Sequence, residues 1–147
     1  MVIQGKYSIV ASNQVVWQHL MDPEILARIT PGISDLHHLE GDKYRAISNI
    51  KIGPVKASFE GELEIRDKVE NTSATLVINQ NSKIGNVTAE IKLQLTGVDD
   101  STEVHYEGDA KLSGKLAMLG QRIIGGVIKS LSREFFKALN KEIIVKN

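Results

Sequence analysis

The chain has no cysteine, which excludes disulfides, thiolate metal sites and thiol nucleophiles together. It has three prolines. Pro23 sits where a helix starts, and Pro31 and Pro54 stand beside glycines that punctuate the chain. No charge of one sign prevails: 18 Lys and Arg balance 18 Asp and Glu, so nothing global favours nucleic acid. No apolar run reaches the eighteen or so residues of a membrane span, and the first residues lack the apolar core of a signal peptide. The expected compartment is the cytoplasm. There is no internal repeat, low-complexity tract or linker, and 147 residues suit one domain, expected over 1–147. A chain of this length buries roughly 70% of its unfolded surface and needs no staple.

What is present is hydrophobic patterning that changes period twice. Residues 1–10 alternate, with Ile3, Tyr7 and Ile9 on one side and Gln4, Lys6 and Ser8 on the other, which predicts a half-buried strand. Ser12 is an N-cap for a short helix carrying Val15, Val16, Trp17 and Leu20. Asp22-Pro23 opens a second helix through Ile25, Leu26 and Ile29, and Pro31-Gly32 stops it. The period then becomes two. Strands are predicted over 34–40, 43–52, 55–68, 73–81, 87–96 and 102–112, separated by Gly41-Asp42, Gly53-Pro54, Glu70-Asn71, Gly85-Asn86 and Asp99-Asp100.

The last segment is helical. From Leu119 to Val145 only Gly125-Gly126 interrupts the pattern, and about 27 residues at 1.5 Å each span roughly 40 Å. Ile124, Val127, Ile128, Leu131, Phe135, Ala138 and Leu139 share one arc, with Lys115, Arg122, Lys129, Arg133 and Lys137 opposite. Residues 115–147 carry seven Lys and Arg against two Glu, a net of +5, which leaves −5 upstream. Such a helix stays soluble only by burying its apolar arc along most of its length.

The order strand, two short helices, six strands, long helix predicts an α+β fold. In it a seven-stranded curved antiparallel sheet wraps a long C-terminal helix. Inward positions are expected at Val55, Ala57, Phe59, Gly61, Leu63 and Ile65; at Val87, Ala89, Ile91, Leu93 and Leu95; and at Val104, Tyr106, Gly108, Ala110 and Leu112. Gly61 and Gly108 mark a tight bend or a close helix approach. Ala46, Ser48, Ala57, Gly61, Ala89, Gly108 and Ala110 are small. Interiors tolerate few voids, so either the helix lies very near the sheet or a cavity remains. Gly125-Gly126 marks either a bend that opens such a pocket or a simple kink.

Catalytic chemistry has little to work with. Glu60, Glu62 and Glu64 share the outer face of one strand, where neighbouring cations pair with them. His105 points outward beside Glu103 and Glu107, and His19 is expected at the surface. His37 and His38, adjacent in a strand, point to opposite faces and cannot share a metal. One of that pair facing inward is the remaining candidate for an acid or base. Gly108 with Gly114-Lys115 imitates a phosphate loop, but the spacing is one residue too long and Leu116 replaces the magnesium-binding hydroxyl. Ser82 to Gly85 lacks the partner glycines of a dinucleotide turn, so no cofactor is expected.

Three segments carry a family resemblance. Asp22-Pro23-Glu24 through Ile29-Thr30-Pro31-Gly32 is the first. Ile52-Gly53-Pro54-Val55 followed by Phe59-Glu60-Gly61 is the second. Gly114-Lys115-Leu116-Ala117 through Leu119-Gly120, Arg122 and Phe135-Phe136 is the third. In order and spacing the chain resembles the helix-grip (START/Bet v 1-like, SRPBCC) superfamily, and within it proteins like the G-type subunit of carbon monoxide dehydrogenase.

The resemblance implies a non-enzymatic accessory protein. Its cargo would be a small lipophilic molecule such as a quinone or lipid, and its partner a molybdenum hydroxylase of the CO dehydrogenase type. Longer members carry a tail associated with membrane attachment after the helix. This sequence ends at Asn147, so the expectation is peripheral contact at the inner membrane face without stable anchoring. Lys115, Arg122, Lys129, Arg133 and Lys137 would meet anionic lipid or an acidic partner there; otherwise they form a solvated helix back.

The expected cavity lining is Tyr44, Ser48, Phe59, Gln80, Ile91, Leu93 and Tyr106 from the sheet, with Met118, Ile124, Ile128 and Phe135 from the helix. Tyr44, Ser48, Gln80 and Tyr106 supply its polar groups. Two alternatives stand beside this reading: a cavity hydrolase or cyclase using His37 or His38, and a ligand-free maturation or interaction partner of a redox enzyme.

Overall fold

In the computed structural model, which describes residues 1–146, the chain runs β1 (Val2–Ile9), α1 (Asn13–Leu20), α2 (Pro23–Ile29) and β2 (Ile33–His38). Then follow β3 (Lys43–Ile52), β4 (Val55–Val69), β5 (Ser73–Ser82), β6 (Gly85–Val98), β7 (Ser101–Leu112), α3 (Gly114–Met118) and α4 (Gly120–Lys146). The seven strands form one antiparallel sheet in the order β1-β7-β6-β5-β4-β3-β2. Only the first strand is out of sequence order. It lies beside the last, so the connection through α1 and α2 carries the chain across the concave face from one edge of the sheet to the other.

Local chemistry sets the element ends. The Val15 N–H donates to Ser12 Oγ at 3.3 Å and the Glu24 N–H to Asp22 Oδ1 at 2.9 Å, so both short helices begin at the caps expected. Asn71 and Asp99 take positive φ in the β4–β5 and β6–β7 turns, as Asn and Asp tolerate. On the outer face Glu60 pairs with Arg45, and Glu64 with Lys43 and Arg66. Glu60 and Glu64 thus pair across to β3, and Glu62 stands opposite Arg45 in the register.

Gly61 and Gly108 mark points where two strands crowd together. A Cβ at Gly61 would lie 1.9 Å from the Asn79 carbonyl oxygen of β5, and one at Gly108 would lie 2.2 Å from that of Glu90 on β6. What lies nearest is the neighbouring strand and not the helix, so the close helix approach expected at these glycines is a close strand approach instead.

The terminal helix differs from expectation in where it breaks. Helix runs unbroken through Gly125-Gly126, while Gly120, with φ of 86°, separates α3 from α4. The left-handed conformation that glycine alone adopts easily makes Gly120 the break point. α3 is pinned separately. The Leu116 N–H donates to the Ile84 carbonyl at 3.0 Å, Ser113 Oγ accepts from the Asn86 N–H at 3.0 Å, and the Leu116 side chain is buried. Lys115 therefore stands on α3, and the basic stripe of α4 itself comprises Arg122, Lys129, Arg133 and Lys137, all exposed.

Buried apolar side chains fall into three groups instead of one continuous core. Ile9, Val16, Leu20, Ile25, Ile29, Leu95, Phe136, Leu139 and Ile143 close one end under α1, α2 and the later turns of α4. Ile52, Ala57, Phe59, Leu116 and Ile124 close the other. Tyr44, Ile65 and Ala74 form a smaller group to one side.

Candidate functional site

The space between these groups is the site. α4 packs closest against β1, β3 and the three shorter helices, and beneath it a cavity of about 440 Å³ remains. Its floor is the inner face of the sheet. Ala46, Ala89 and Ala110 leave it low, while Ile91, Leu93 and Tyr106 rise from it. Its roof is Ile124, Val127, Ile128, Leu131, Ser132, Phe135 and Phe136 of α4. One wall comes from Leu20 and Met21 at the end of α1, Leu26 of α2 and the Thr30-Pro31 exit from α2.

The hollow follows from arithmetic on side-chain size. Alternation puts apolar residues inward, but alanine, glycine and serine recur at the inner positions of β3, β4, β6 and β7 and cannot reach the helix. Among the described residues, no Asp, Glu, Lys, Arg or His borders the cavity. The available chemistry is therefore apolar contact and a few hydrogen bonds. Nor do the described residues include a cluster of His, Asp or Glu suited to a metal ion.

Of the residues expected around this space, Ser48, Phe59, Gln80, Ile91, Leu93, Tyr106, Ile124, Ile128 and Phe135 surround it. Met118 does not: it is 85% exposed on the last turn of α3, because the break at Gly120 turns that segment off the arc of α4. Tyr44 is buried but lies outside the lining, packed with Ile65 and Ala74 and tilted against His38 at 5.2 Å between ring centroids. It packs beside the cavity instead of lining it.

Tyr106 lines the cavity with its ring while its hydroxyl points elsewhere. A Cβ at Gly5 would lie 2.4 Å from Tyr106 Oη and 2.4 Å from Cζ, so the ring lies flat over its β1 partner. There it meets Tyr7, whose centroid is 6.2 Å away, and both rings stack with Phe136. Burial pushes the Tyr7 hydroxyl above the usual phenol range. The Tyr106 hydroxyl adds to this through charge and a hydrogen bond, and Arg133 opposes it.

The histidines also resolve. His37 and His38 are both exposed, His38 with Nε2 2.7 Å from the Gly41 carbonyl. Neither borders the cavity, to which β2 contributes Ile33 and Leu36 instead, so the catalytic use of this pair loses its basis. His19 is half-buried instead of surface: its Nδ1 lies 2.8 Å from the Val15 carbonyl and its Nε2 is enclosed without a partner. His105 lies outward, 3.2 Å from Glu103. Sequence reasoning missed the α1–α2 wall and Phe136. The Leu26 and Thr30-Pro31 positions announced a helix and its end, but nothing in them said which way its face turned.

A sheet curled around one long helix, with a hollow between them, defines the helix-grip class. A START superfamily protein from Mycobacterium smegmatis superposes with a TM-score of 0.77 at 14% identity, over 99% of both chains. The Zhui aromatase/cyclase from Streptomyces superposes at 0.69 and 12% identity, over 97% of this chain and 93% of that one. Within the class, the profile of the carbon monoxide dehydrogenase G-type subunit (CoxG) matches residues 5–144, so the chain belongs to the CoxG family. A conserved protein from Geobacillus kaustophilus is 34% identical over 98% of this chain and 95% of its own, with a TM-score of 0.94. None of the curated proteins matches this chain. Family and fold together make it a CoxG-type helix-grip protein. No helix among the described residues is long and apolar enough to cross a membrane.

Proposed function

We propose that this chain binds a small lipophilic molecule, a quinone or lipid, in the cavity beneath α4. In this role it serves a CO dehydrogenase-type molybdenum hydroxylase as a non-catalytic accessory protein. The observation that carries this is a space of about 440 Å³ bordered, among the described residues, by apolar and uncharged polar side chains alone. Pockets of roughly 300–1,000 Å³ with such a lining suit small organic molecules. Ser48, Phe59, Gln80, Ile91, Leu93, Tyr106, Ile124, Ile128 and Phe135 are the contact residues of this reading.

A lining whose described residues include no Asp, Glu, Lys, Arg or His supports binding over catalysis, since general acid–base chemistry most often uses such a group within reach of the reacting atoms. The exposed cations Arg122, Lys129, Arg133 and Lys137, with Lys115 on α3, would face anionic lipid or an acidic partner while cargo is exchanged. Native mass spectrometry of the purified protein, paired with organic extraction, tests the proposal. The expected result is a bound lipophilic mass, and a rise in melting temperature when a quinone or neutral lipid is added to stripped protein. A protein that is always empty, with a melting point indifferent to quinones and lipids, would overturn it.

A further inference from the structure

The two ends of the sheet carry opposite charge. The β2–β3, β4–β5 and β6–β7 turns meet at one end. Residues 39–43, 67–72 and 98–101 there hold Glu40, Asp42, Asp67, Glu70, Asp99 and Asp100, with Lys43 and Lys68 as the only cations. The β3–β4 and β5–β6 turns meet at the other end, with α3 and the start of α4. Residues 49–59, 82–88 and 112–124 there hold Lys51, Lys56, Lys83, Lys115 and Arg122 and no Asp or Glu. All five cations are exposed, and none is ion-paired among the described residues. Lys56 and Lys83 share an outer-face groove with Glu62 and with Glu60, which is itself paired to Arg45.

Apolar and basic residues interleave at this basic end. Ile52, Leu116 and Ile124 border the cavity. Lys51 and Lys115, next to the first two in sequence, and Arg122, two before the third, are exposed. The turns that close this end of the cavity therefore also carry its cations. The β3–β4 hairpin runs on past β5, since the pairing of the two strands stops at Glu60 with Asn81. Met118 and Ile123, 85% and 42% exposed, stand on either side of the break at Gly120.

We infer that this end of the molecule docks on an anionic lipid bilayer, with Met118 entering the interface and Lys51, Lys56, Lys83, Lys115 and Arg122 around it. The inference rests on the carrier reading, since docking here brings the cavity to a membrane that can hold its cargo. It also sets an orientation. The first turn of α4 lies at the lipid, and Lys137 stands roughly 22 Å further along the helix than Arg122 at about 1.5 Å per residue. Lys115 and Arg122 then meet lipid, while Lys129, Arg133 and Lys137 are left to an acidic partner.

The kind of cation favours lipid over protein as the occupant. Arginine is the usual choice for ion pairs of fixed geometry at protein interfaces, and four of these five residues are lysines. An anionic bilayer presents a diffuse field that attracts any cation held near it. A methionine exposed among such cations adds the apolar contact by which interfacial segments enter the headgroup boundary.

The test is flotation with vesicles of phosphatidylcholine alone or with about one third phosphatidylglycerol. The protein should float with the anionic vesicles only, and should be released between about 0.05 and 0.5 M NaCl as screening shortens the reach of its charges. Each charge removed should weaken binding about fivefold. Lys51→Gln, Lys83→Gln and Lys115→Gln together should therefore lower vesicle affinity about a hundredfold. Lys129→Gln, Arg133→Gln and Lys137→Gln together should change it by less than about threefold, being further from the surface than a Debye length. The absence of cysteine allows a single polarity-sensitive label at Met118→Cys. Its emission should shift to the blue on anionic vesicles, whereas a label at Val69→Cys, 55% exposed at the acidic end, should not.

Equal binding to neutral vesicles, a Met118→Cys label that stays in water, or a greater loss from the α4 triple than from the end triple overturns the inference. So does a protein that ignores vesicles and uses these lysines to bind an acidic protein. Cargo is read separately, by native mass spectrometry without vesicles. An empty protein that docks sinks the carrier reading and leaves the docking surface, while a loaded protein indifferent to anionic vesicles sinks the docking alone.

Discussion

Around the last turns of α4, Leu139 and Ile143 pack with Ile9 and Val16 so tightly that none exceeds 1% exposure. Beneath residues 124–136 of the same helix the facing strands carry Ala46, Ala89 and Ala110, and a space of about 440 Å³ stays open. The helix offers an equally apolar face to both regions. What differs is the reach of the opposing side chains: β-branched residues and leucine close the gap at one end, and methyl groups leave it at the other. Hydrophobicity therefore decides that α4 lies on the sheet, while side-chain volume decides where it touches.

The sharpest way to break this contrast is at the sealed end. Leu139→Ala should lower unfolding free energy in urea by about 2–5 kcal/mol, the usual cost of a cavity in a packed core. Enlargement should then act oppositely at the two ends. Val16→Phe should destabilise by about 1–3 kcal/mol through overpacking. Ala89→Leu, growing into the hollow, should leave stability unchanged or raised by up to about 2 kcal/mol, while weakening displacement of a lipophilic fluorophore about tenfold or more. Equal destabilisation by both enlargements would show that the space collapses in solution.

A smaller effect concerns the roof. Nothing lies within 4 Å of a Cβ built at Gly126, and α4 is helical there. Gly126→Ala should therefore stabilise by about 0.5–1 kcal/mol in thermal melts, with ligand affinity unchanged.

The smallest is a pH effect beside the cavity. Tyr7 is held neutral to higher pH in the folded chain than in the unfolded one, mainly by burial. Above pH about 10 the unfolded state loses this proton first. The contribution is thus complete below that pH and fades as pH rises through the folded value. Urea midpoints from pH 8 to 11 should fall less steeply in Tyr7→Phe than in wild type.

Much of this was legible along the chain because it depended on neighbours in sequence. Alternation named the inward residues of β4, β6 and β7, and Ser12 and Asp22 announced the two short helices. The small inner residues raised the prospect of a hollow, and Ser48, Phe59, Gln80, Ile91 and Leu93 could be placed around it from strand parity alone. Parity did not reveal that Tyr44 sits beyond the edge of the hollow, since position along a strand says nothing about where a roof ends. Nor could helical winding place Met118, because the pattern gave Gly120 no more weight than Gly125 or Gly126. His37 and His38 follow the same logic: alternation assigns opposite faces, but exposure depends on whether anything covers the edge strand.

Period, capping and composition were enough to dictate the order of seven strands and their helices, the apolar arc of α4 and the small inner residues. They also kept charged side chains from the clean inward positions. Each of these is a local consequence of residues a few places apart. Other features arose only when remote segments met: the break of the terminal helix at Gly120, the wall that α1 and α2 supply, the turn of the Tyr106 hydroxyl toward Tyr7, and the gathering of Lys51, Lys83 and Lys115 at one end of the sheet. Each depends on which distant backbones come together, and packing between distant segments is not encoded in the spacing of any one of them.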